Sequence, residues 1–533
     1  MPADIIFTNG TIYTIDRANP RAEAMATFRD RILAVGSADD INALKGPETK
    51  VIDLGGRVLM PGLNDNHCHP PMYGANLQLV DATAQSVSSI AEIMERFGAA
   101  AADAAPDTWI RGWGYDDTRV AEMRHPTRHD LDAVVGDRPA YLTRTCGHIG
   151  VASSAALRLA GITRDTPNPQ GGEIDHDADG EPTGVLRETA QGLVREHIPT
   201  PTKDDIKRNL IVAGKKYLSM GITSWADASI RTSDELMAYQ ELREAGELPM
   251  RTYTMMLIDD TLDALSALGI KTGFGDEWLR LGHLKIFADG ALGSRSALML
   301  EPYNNEPENY GIAVRSKENI RDLIRTAAAN GIASCIHAIG DAANRLLLDI
   351  FEEARADNLG LGLRQRIEHA QVLTATDIGR FAQLGVIPSM QPIHCTSDMF
   401  GIDRWWGDRG SFAYVFETLR RSGAVLAFGS DAPVDNLSPI AGIHAAVTRQ
   451  NASNEPAGGW YPAERLSAQH ALEAYTLGAA YASGEEHLKG SLEVGKLGDL
   501  TVLSRDILAT PGPEILGIEA EATIVGGRVV HGG

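Results

Sequence analysis

Gly62-Leu63-Asn64-Asp65-Asn66-His67-Cys68-His69 closes an apolar run that starts at Val58-Leu59-Met60, and its reading decides the fold. In a β-strand alternate side chains share a face, so His67 and His69 point one way and Cys68 the other. Two imidazoles side by side at a strand end make half of a divalent-metal site. The same texture, a short apolar run ending in a residue able to bind metal, recurs downstream. It appears in Cys335-Ile336-His337, in Arg366-Ile367-Glu368-His369, in Lys285 ahead of Asp289-Gly290, and in Gly429-Ser430-Asp431.

Short apolar strands alternating with helical patterns predict a parallel α/β fold. The strand candidates are Leu59–His69, Ile222–Ala228, Arg251–Leu257, Gly282–Asp289, Ile332–Ala338, Gln365–Ala370, Gly385–Met390 and Val425–Asp431. Eight such strands make a (β/α)8 TIM barrel, whose chemistry sits at the C-terminal strand ends, and five of the eight end in candidate ligands. Both chain ends read as short strands with glycine turns, as in Ile5-Ile6-Phe7-Thr8-Asn9-Gly10 and Asp499-Leu500-Thr501-Val502-Leu503. They predict a small composite β-sandwich from residues 1–58 plus 485–533, around a barrel over 59–484. Roughly 150 residues separate the first two strands, far more than one helix and loop need. That span holds a helix candidate (Ile90–Ala105), a strand candidate (Pro139–Thr145) and the turn-rich Gly171-Gly172-Glu173 and Asp179-Gly180-Glu181-Pro182. It is read as an inserted subdomain, residues 75–200, over the barrel mouth.

The 533 residues carry 49 basic and 71 acidic side chains, a formal net charge of -22. That balance argues against nucleic acid or an anionic membrane surface as partner. The four scattered cysteines (Cys68, Cys146, Cys335, Cys395) form no CxxC pair and read as reduced thiols. The first residues lack a basic, apolar leader and no run is long enough for a membrane span. The expected location is cytoplasmic. A small-molecule substrate is the expected partner, and a homodimer would be unsurprising.

The ordered series resembles the amidohydrolase superfamily of metal-dependent hydrolases. More narrowly, it resembles amidohydrolase family 3, the group of YtcJ-like proteins and N-substituted formamide deformylase. The motifs that carry the likeness span nearly the whole chain. They include Val58-Leu59-Met60-Pro61-Gly62, Gly180-Glu181-Pro182-Thr183-Gly184-Val185, Leu284-Lys285-Ile286-Phe287-Ala288-Asp289-Gly290, His337-Ala338-Ile339-Gly340-Asp341, Gly429-Ser430-Asp431-Ala432-Pro433 and Gly495-Lys496-Leu497-Gly498-Asp499-Leu500. The resemblance implies that His67 and His69 bind one metal and His337 and His369 a second, with Lys285 bridging them as a CO2-derived carbamate. Asp431 would touch the metal and act as the catalytic proton shuttle. The implied reaction is attack of metal-bound hydroxide on a non-peptide C–N bond (EC 3.5 type) of an amide, N-acyl or N-formyl compound. Zinc is the expected metal, two ions per chain, with manganese, iron or nickel also suited to a mixed N/O shell. Cys68 keeps a one-metal arrangement open, because some family members use a cysteine ligand. The same hydroxide would attack carbamates, lactones or esters, and a non-catalytic scaffold or regulatory protein is the rival from another class.

Other residues are weighed against plain packing. His148, in Cys146-Gly147-His148, is a substrate contact or a structural hydrogen bond; Trp113 and Tyr115 form a pocket wall or core. Asp289 shares strand parity with Lys285 and is read as orienting a ligand or binding substrate. Gln391 and His394 end strand seven and are read as lining the pocket. Glu368, beside His369, should face the opposite side of its strand. His283 is read as a satisfied barrel-interior residue. The aromatic stretch from Met399 to Tyr414 is placed on the loop after strand seven, as a hydrophobic gate, a packed rim or a subunit contact.

Overall fold

Gly62 divides the first apolar run between two sheets. Val58–Pro61 runs parallel to Thr11–Tyr13 and antiparallel to Leu500–Leu503, whereas Leu63–Cys68 pairs with Ile222–Ile230. A side chain at Gly62 would collide with Thr223, so only glycine lets the chain pass from one sheet to the other. The single strand Leu59–His69 expected from the sequence is therefore two strands. Both halves are buried, the first apolar and the second carrying the buried polar residues Asn64, Asp65, Asn66 and His67.

The computed structural model describes residues 1–105, 108–257 and 261–532. The barrel strands are β1 (Leu63–Cys68), β2 (Ile222–Ile230), β3 (Arg251–Met256), β4 (Leu279–Phe287), β5 (Ser334–Ala338), β6 (Arg366–His369), β7 (Ile387–Met390) and β8 (Ala427–Phe428). Each pairs in parallel with the next in chain order. The ring nearly closes where the Asp431 amide donates to the His67 carbonyl at 2.7 Å and the His69 amide to the Ala432 carbonyl at 2.9 Å. The last strand is shorter than the predicted Val425–Asp431: the Gly429 amide still donates to the Met390 carbonyl at 3.1 Å, and the amides of Ser430 and Asp431 then turn to Asp65 and His67.

The surrounding helices follow from amphipathic spacing and explicit stops. Ser316 caps Lys317–Ala329, which buries Ile320, Ile324, Ala327 and Ala328 along one stripe. Ala375–Leu384 ends at Gly385, whose φ of 69° is the left-handed conformation that helix ends favour.

The termini build the β-sandwich. One sheet orders Arg31–Gly36, Ala24–Phe28, Ile5–Thr8 and Lys50–Asp53. The other contains Arg528–Gly532, Ala520–Val525, Leu500–Leu503, Val58–Pro61, Thr11–Tyr13 and Arg21–Ala22. Phe7, Met25, Leu59, Leu500 and Ile524 fill the space between them. Arg251 of β3 ties barrel to sandwich: its guanidinium contacts both oxygens of Asp499, at 2.5 and 3.0 Å, where both side chains are buried. This gives the Gly498-Asp499-Leu500 motif a physical task. Breaking such a buried pair from one side costs about 3–5 kcal/mol.

Residues 75–202 form a separate compact unit. Its six-stranded sheet orders Gly172–His176, Pro182–Glu188, Ile149–Ala152, Ala140–Arg144, Ile110–Tyr115 and Val80–Asp81. Helices Ile90–Asp103 and Arg128–Val135 pack with it around Phe97, Leu131 and Leu142. A second cluster holds Leu157, Ile174, Leu186 and Val194. Among the described residues no helix is long and apolar enough to cross a membrane.

Candidate metal centre

The C-terminal ends of β1, β4, β5, β6 and the turn after β8 bring His67, His69, Lys285, His337, His369 and Asp431 into one buried group. Ring centres lie 5.7 Å apart for His67 and His69, 5.0 Å for His67 and His369, and 4.6 Å for His337 and His369. Asp431 Oδ1 lies 3.0 Å from His69 Nε2 and 3.6 Å from His67 Nε2. One donor atom from each of His67, His69 and Asp431 falls within 4.8 Å of the others, and the same holds for His369, His394 and Asp431. Lys285 is buried, with its amine 5.0 Å from the Phe287 ring centre.

Each imidazole is fixed through one ring nitrogen. His67 Nδ1 meets Glu368 Oε2 at 2.5 Å and His369 Nδ1 meets Gln391 Oε1 at 2.8 Å. His337 Nε2 meets the Gly290 carbonyl at 3.0 Å, and His69 Nδ1 meets Ser229 Oγ at 2.9 Å. A carboxylate, an amide oxygen and a carbonyl can only accept, so those nitrogens carry the proton and the opposite nitrogens keep lone pairs. Burial, and then the positive charge of Lys285, lowers His67 and His337 to about 4. Burial pushes His369 well below its usual value. Neutral imidazoles at pH 7 are the form that binds metal. Burial alone would raise Asp431, but its hydrogen bond with His69 and the field of the other imidazoles hold it well below the usual carboxylate range. Three imidazole lone pairs, a fourth imidazole on an ionised carboxylate, and a lysine that could be carboxylated are a donor set that fits a divalent transition metal.

Backbone strain concentrates here. His369, Ala370 and Asp431 have φ of 72°, 42° and 58°, conformations that cost non-glycine residues about 1–3 kcal/mol each. At His369 this overturns the parity expected from the sequence. Glu368 does not face away from the centre: it reaches His67, because the chain leaves the extended conformation at His369 and alternation ends there. Arg366 donates to Glu368 Oε1 at 2.8 Å and Ser389 Oγ to Glu368 Oε2 at 2.7 Å, so the carboxylate is held rigidly behind the imidazole. Asp65 accepts from the Ser430 hydroxyl at 2.5 Å and the Ser430 amide at 2.9 Å, joining β1 to the turn that carries Asp431.

The remaining predicted site residues divide. Gln391 is fully buried and its Oε1 accepts from His369 Nδ1, which orients that ring. Asp289 lies beyond the end of β4. Its carboxylate accepts the amides of Leu298 at 2.9 Å, Ile339 at 3.1 Å and Gly340 at 2.8 Å, which holds two loops, and its Oδ1 stands 3.5 Å from His337 Nε2. Burial raises it to about 7, and those amides oppose the rise. Cys68 is buried against the Ala226 carbonyl at 3.6 Å, with burial pushing its thiol well up, so it packs into the barrel wall. Trp113 and His148 belong to the 75–202 unit. Trp113 is 45% exposed, and His148 is exposed and bonded to Glu188 at 2.9 Å. Tyr115 is core within that unit.

The Met399–Tyr414 stretch is mostly helix, Pro392–Trp405, followed by a tight turn over 407–412, rather than the loop expected. Proline at the first helical position favours that start. Met399, Trp406 and Tyr414 are buried, while Phe400 and Phe412 are exposed. Sequence reading undervalued Glu368, Ser229 and His394. The signal available for His394 was Gln391-Pro392-Ile393-His394, which places two polar side chains at the start of one helix.

The amidohydrolase family model matches residues 50–531. YtcJ from Bacillus subtilis (strain 168) is 33% identical over 536 residues, 99% of each chain. N-substituted formamide deformylase from Arthrobacter pascens is 29% identical over 98% of this chain and 97% of its own. The crystal structure of an uncharacterized metal-dependent hydrolase from Pyrococcus furiosus superposes with a TM-score of 0.78 at 31% identity, covering 95% of this chain and 99% of that one. The chain belongs to the amidohydrolase family.

Proposed function

We propose that the protein is a divalent-metal-dependent hydrolase of a non-peptide C–N bond, an amide of the N-acyl or N-formyl type. The observation that carries this reading is the arrangement of four imidazoles. His67, His337 and His369 are each anchored outward through one nitrogen onto a group that only accepts, which leaves the opposite nitrogen its lone pair, and His69 is held between the Ser229 hydroxyl and Asp431 Oδ1. The bond class is supported by the likeness to N-substituted formamide deformylase.

In this reading His67, His69 and Asp431 would hold one ion and His337 and His369 a second, with Lys285, once carboxylated, as a further ligand. A protonated Lys285 would repel both cations, whereas a carbamate offers each an anionic oxygen. Zinc suits the donor set. A bound cation would supply Lewis acidity, bringing the pKa of water from 15.7 to about 7 and polarising a carbonyl. Asp431, ionised at any working pH, accepts the proton of the attacking water and returns it to the departing nitrogen. Glu368 and Gln391 hold two imidazoles in the required tautomer, and the buried surroundings strengthen each of these interactions.

Chelator-treated protein should lose hydrolysis of N-formyl amines and regain it with zinc, and Lys285→Ala should lower metal content and activity together. Short carboxylates should restore part of that variant's rate by standing in for the carbamate. Metal content by mass spectrometry and turnover on matched amide and ester substrates decide the matter. Full activity in metal-free protein overturns the mechanism, and faster turnover of every ester than its matched amide overturns the bond class.

A further inference from the structure

Asp431 divides its two carboxylate oxygens between two groups. Oδ1 faces His67 and His69; Oδ2 faces His394 Nε2 at 3.8 Å. His394 lies in the first turn of helix Pro392–Trp405, and its ring is stacked on that of His369, with centres 6.1 Å apart and an interplanar angle of 12°. Its Nε2 is buried and has no hydrogen-bond partner, so the desolvation cost of that nitrogen is not offset within the chain. His369 has given its Nδ1 to Gln391, which leaves Nε2 on the same side. His369, His394 and Asp431 each bring a donor atom within 4.8 Å of the others. Donors around a tetrahedral zinc stand roughly 3.3 Å apart, from bonds of about 2.0–2.1 Å, so a small side-chain rotation closes this group on an ion.

We propose that His394 is a metal ligand, forming with His369 and Asp431 a position for a divalent transition-metal ion that requires neither Lys285 nor His337. The proposal shares Asp431 and His369 with the metal-dependent reading above and rests on it to that extent. Two imidazoles and one carboxylate select zinc, cobalt or nickel over magnesium or calcium, which take oxygen donors. One helix start supplies both the acceptor that orients His369 (Gln391) and the added ligand (His394). Asp398, one turn further along, is half-buried and accepts from the Tyr414 hydroxyl and the Gln371 amide. The second ion therefore has a holding point while Lys285 is still a free amine, and the site can load metal before the carbamate forms.

The test uses full-length wild type, His337→Ala, His394→Ala, His394→Gln and the His337→Ala/His394→Ala double variant. Each is loaded with zinc or cobalt, dialysed against metal-free buffer, and checked for folding by circular dichroism. Wild type should hold two ions per chain. His337→Ala should keep the second ion, weakened about ten-fold or more, and the double variant should hold one. In the His337→Ala background, removing His394 should also change the cobalt absorption band. If both His394 variants match their parents in ion count and cobalt spectrum in each background, His394 is not a ligand. If wild type itself holds no ion, both the proposal and the metal-dependent reading fall, which separates the two failures.

Discussion

The two ends of the barrel both bury histidines, and they use them in opposite ways. Toward the N-terminal end, His283 of β4 accepts from the Tyr253 hydroxyl at 2.9 Å through Nδ1 and donates to the Arg364 carbonyl at 2.8 Å through Nε2. Both nitrogens are satisfied, and burial with the nearby Arg366 charge lowers the ring to about 3. At the C-terminal end His67, His337 and His369 each have one nitrogen anchored on a framework acceptor, and His69 has one nitrogen on Ser229 and the other on Asp431 of the centre. Burial and low basicity are common to both ends. What separates a candidate ligand from a framework histidine is therefore what its second nitrogen meets, the Asp431 carboxylate and the other imidazoles or a framework partner, not its depth or its titration.

The largest effect that can break this contrast is at Asp431. Asp431→Asn should lower kcat by about 10³-fold while an ion remains bound through His67 and His69; turnover at the wild-type rate would place the proton acceptor elsewhere. A smaller effect tests whether the outward anchors matter. Glu368→Gln keeps the shape of the side chain but weakens its hold on His67, and it should reduce metal affinity or activity about 10- to 100-fold. Unchanged affinity measured against a competing chelator would show that the anchor is decorative. The smallest effect lies at the other end. His283→Leu leaves the Tyr253 hydroxyl and the Arg364 carbonyl unpaired, at about 1–3 kcal/mol for each buried group. A fall of a few degrees in Tm with unaltered ions per chain is expected. Loss of metal in that variant would erase the distinction between the two ends.

Much of this contrast was legible in the chain. His67, His69, His337 and His369 each end an apolar run, and apolar runs of four to eight residues separated by helical periods read as barrel strands because both faces are buried. Lys285 and Asp431 were recognised through the motifs around them. The inner and outer assignments were less secure. Glu368 was placed on the wrong face because alternation holds only while φ stays extended, and His369 at 72° ends it. Gln391 was read toward substrate and Asp289 as orienting a ligand or binding substrate; their partners, His369 for the first and three backbone amides with His337 Nε2 at 3.5 Å for the second, come from elements remote in sequence or on following loops. The break at Gly62 was hidden because both halves of Val58–Cys68 are buried and lie either side of a single glycine.

By itself the sequence determined the alternation of strands and helices, the glycine turns of the two termini, and the chemical identity of the residues able to meet at strand ends. Those are local matters, set by periodicity, backbone freedom and side-chain type. Only the tertiary structure decided which nitrogen of each imidazole is occupied, which carboxylate stands behind it, and that His394 joins Asp431 from a separate helix. Hydrogen-bond satisfaction is a property of space rather than of sequence order, and it exists only once the barrel has brought distant strands together.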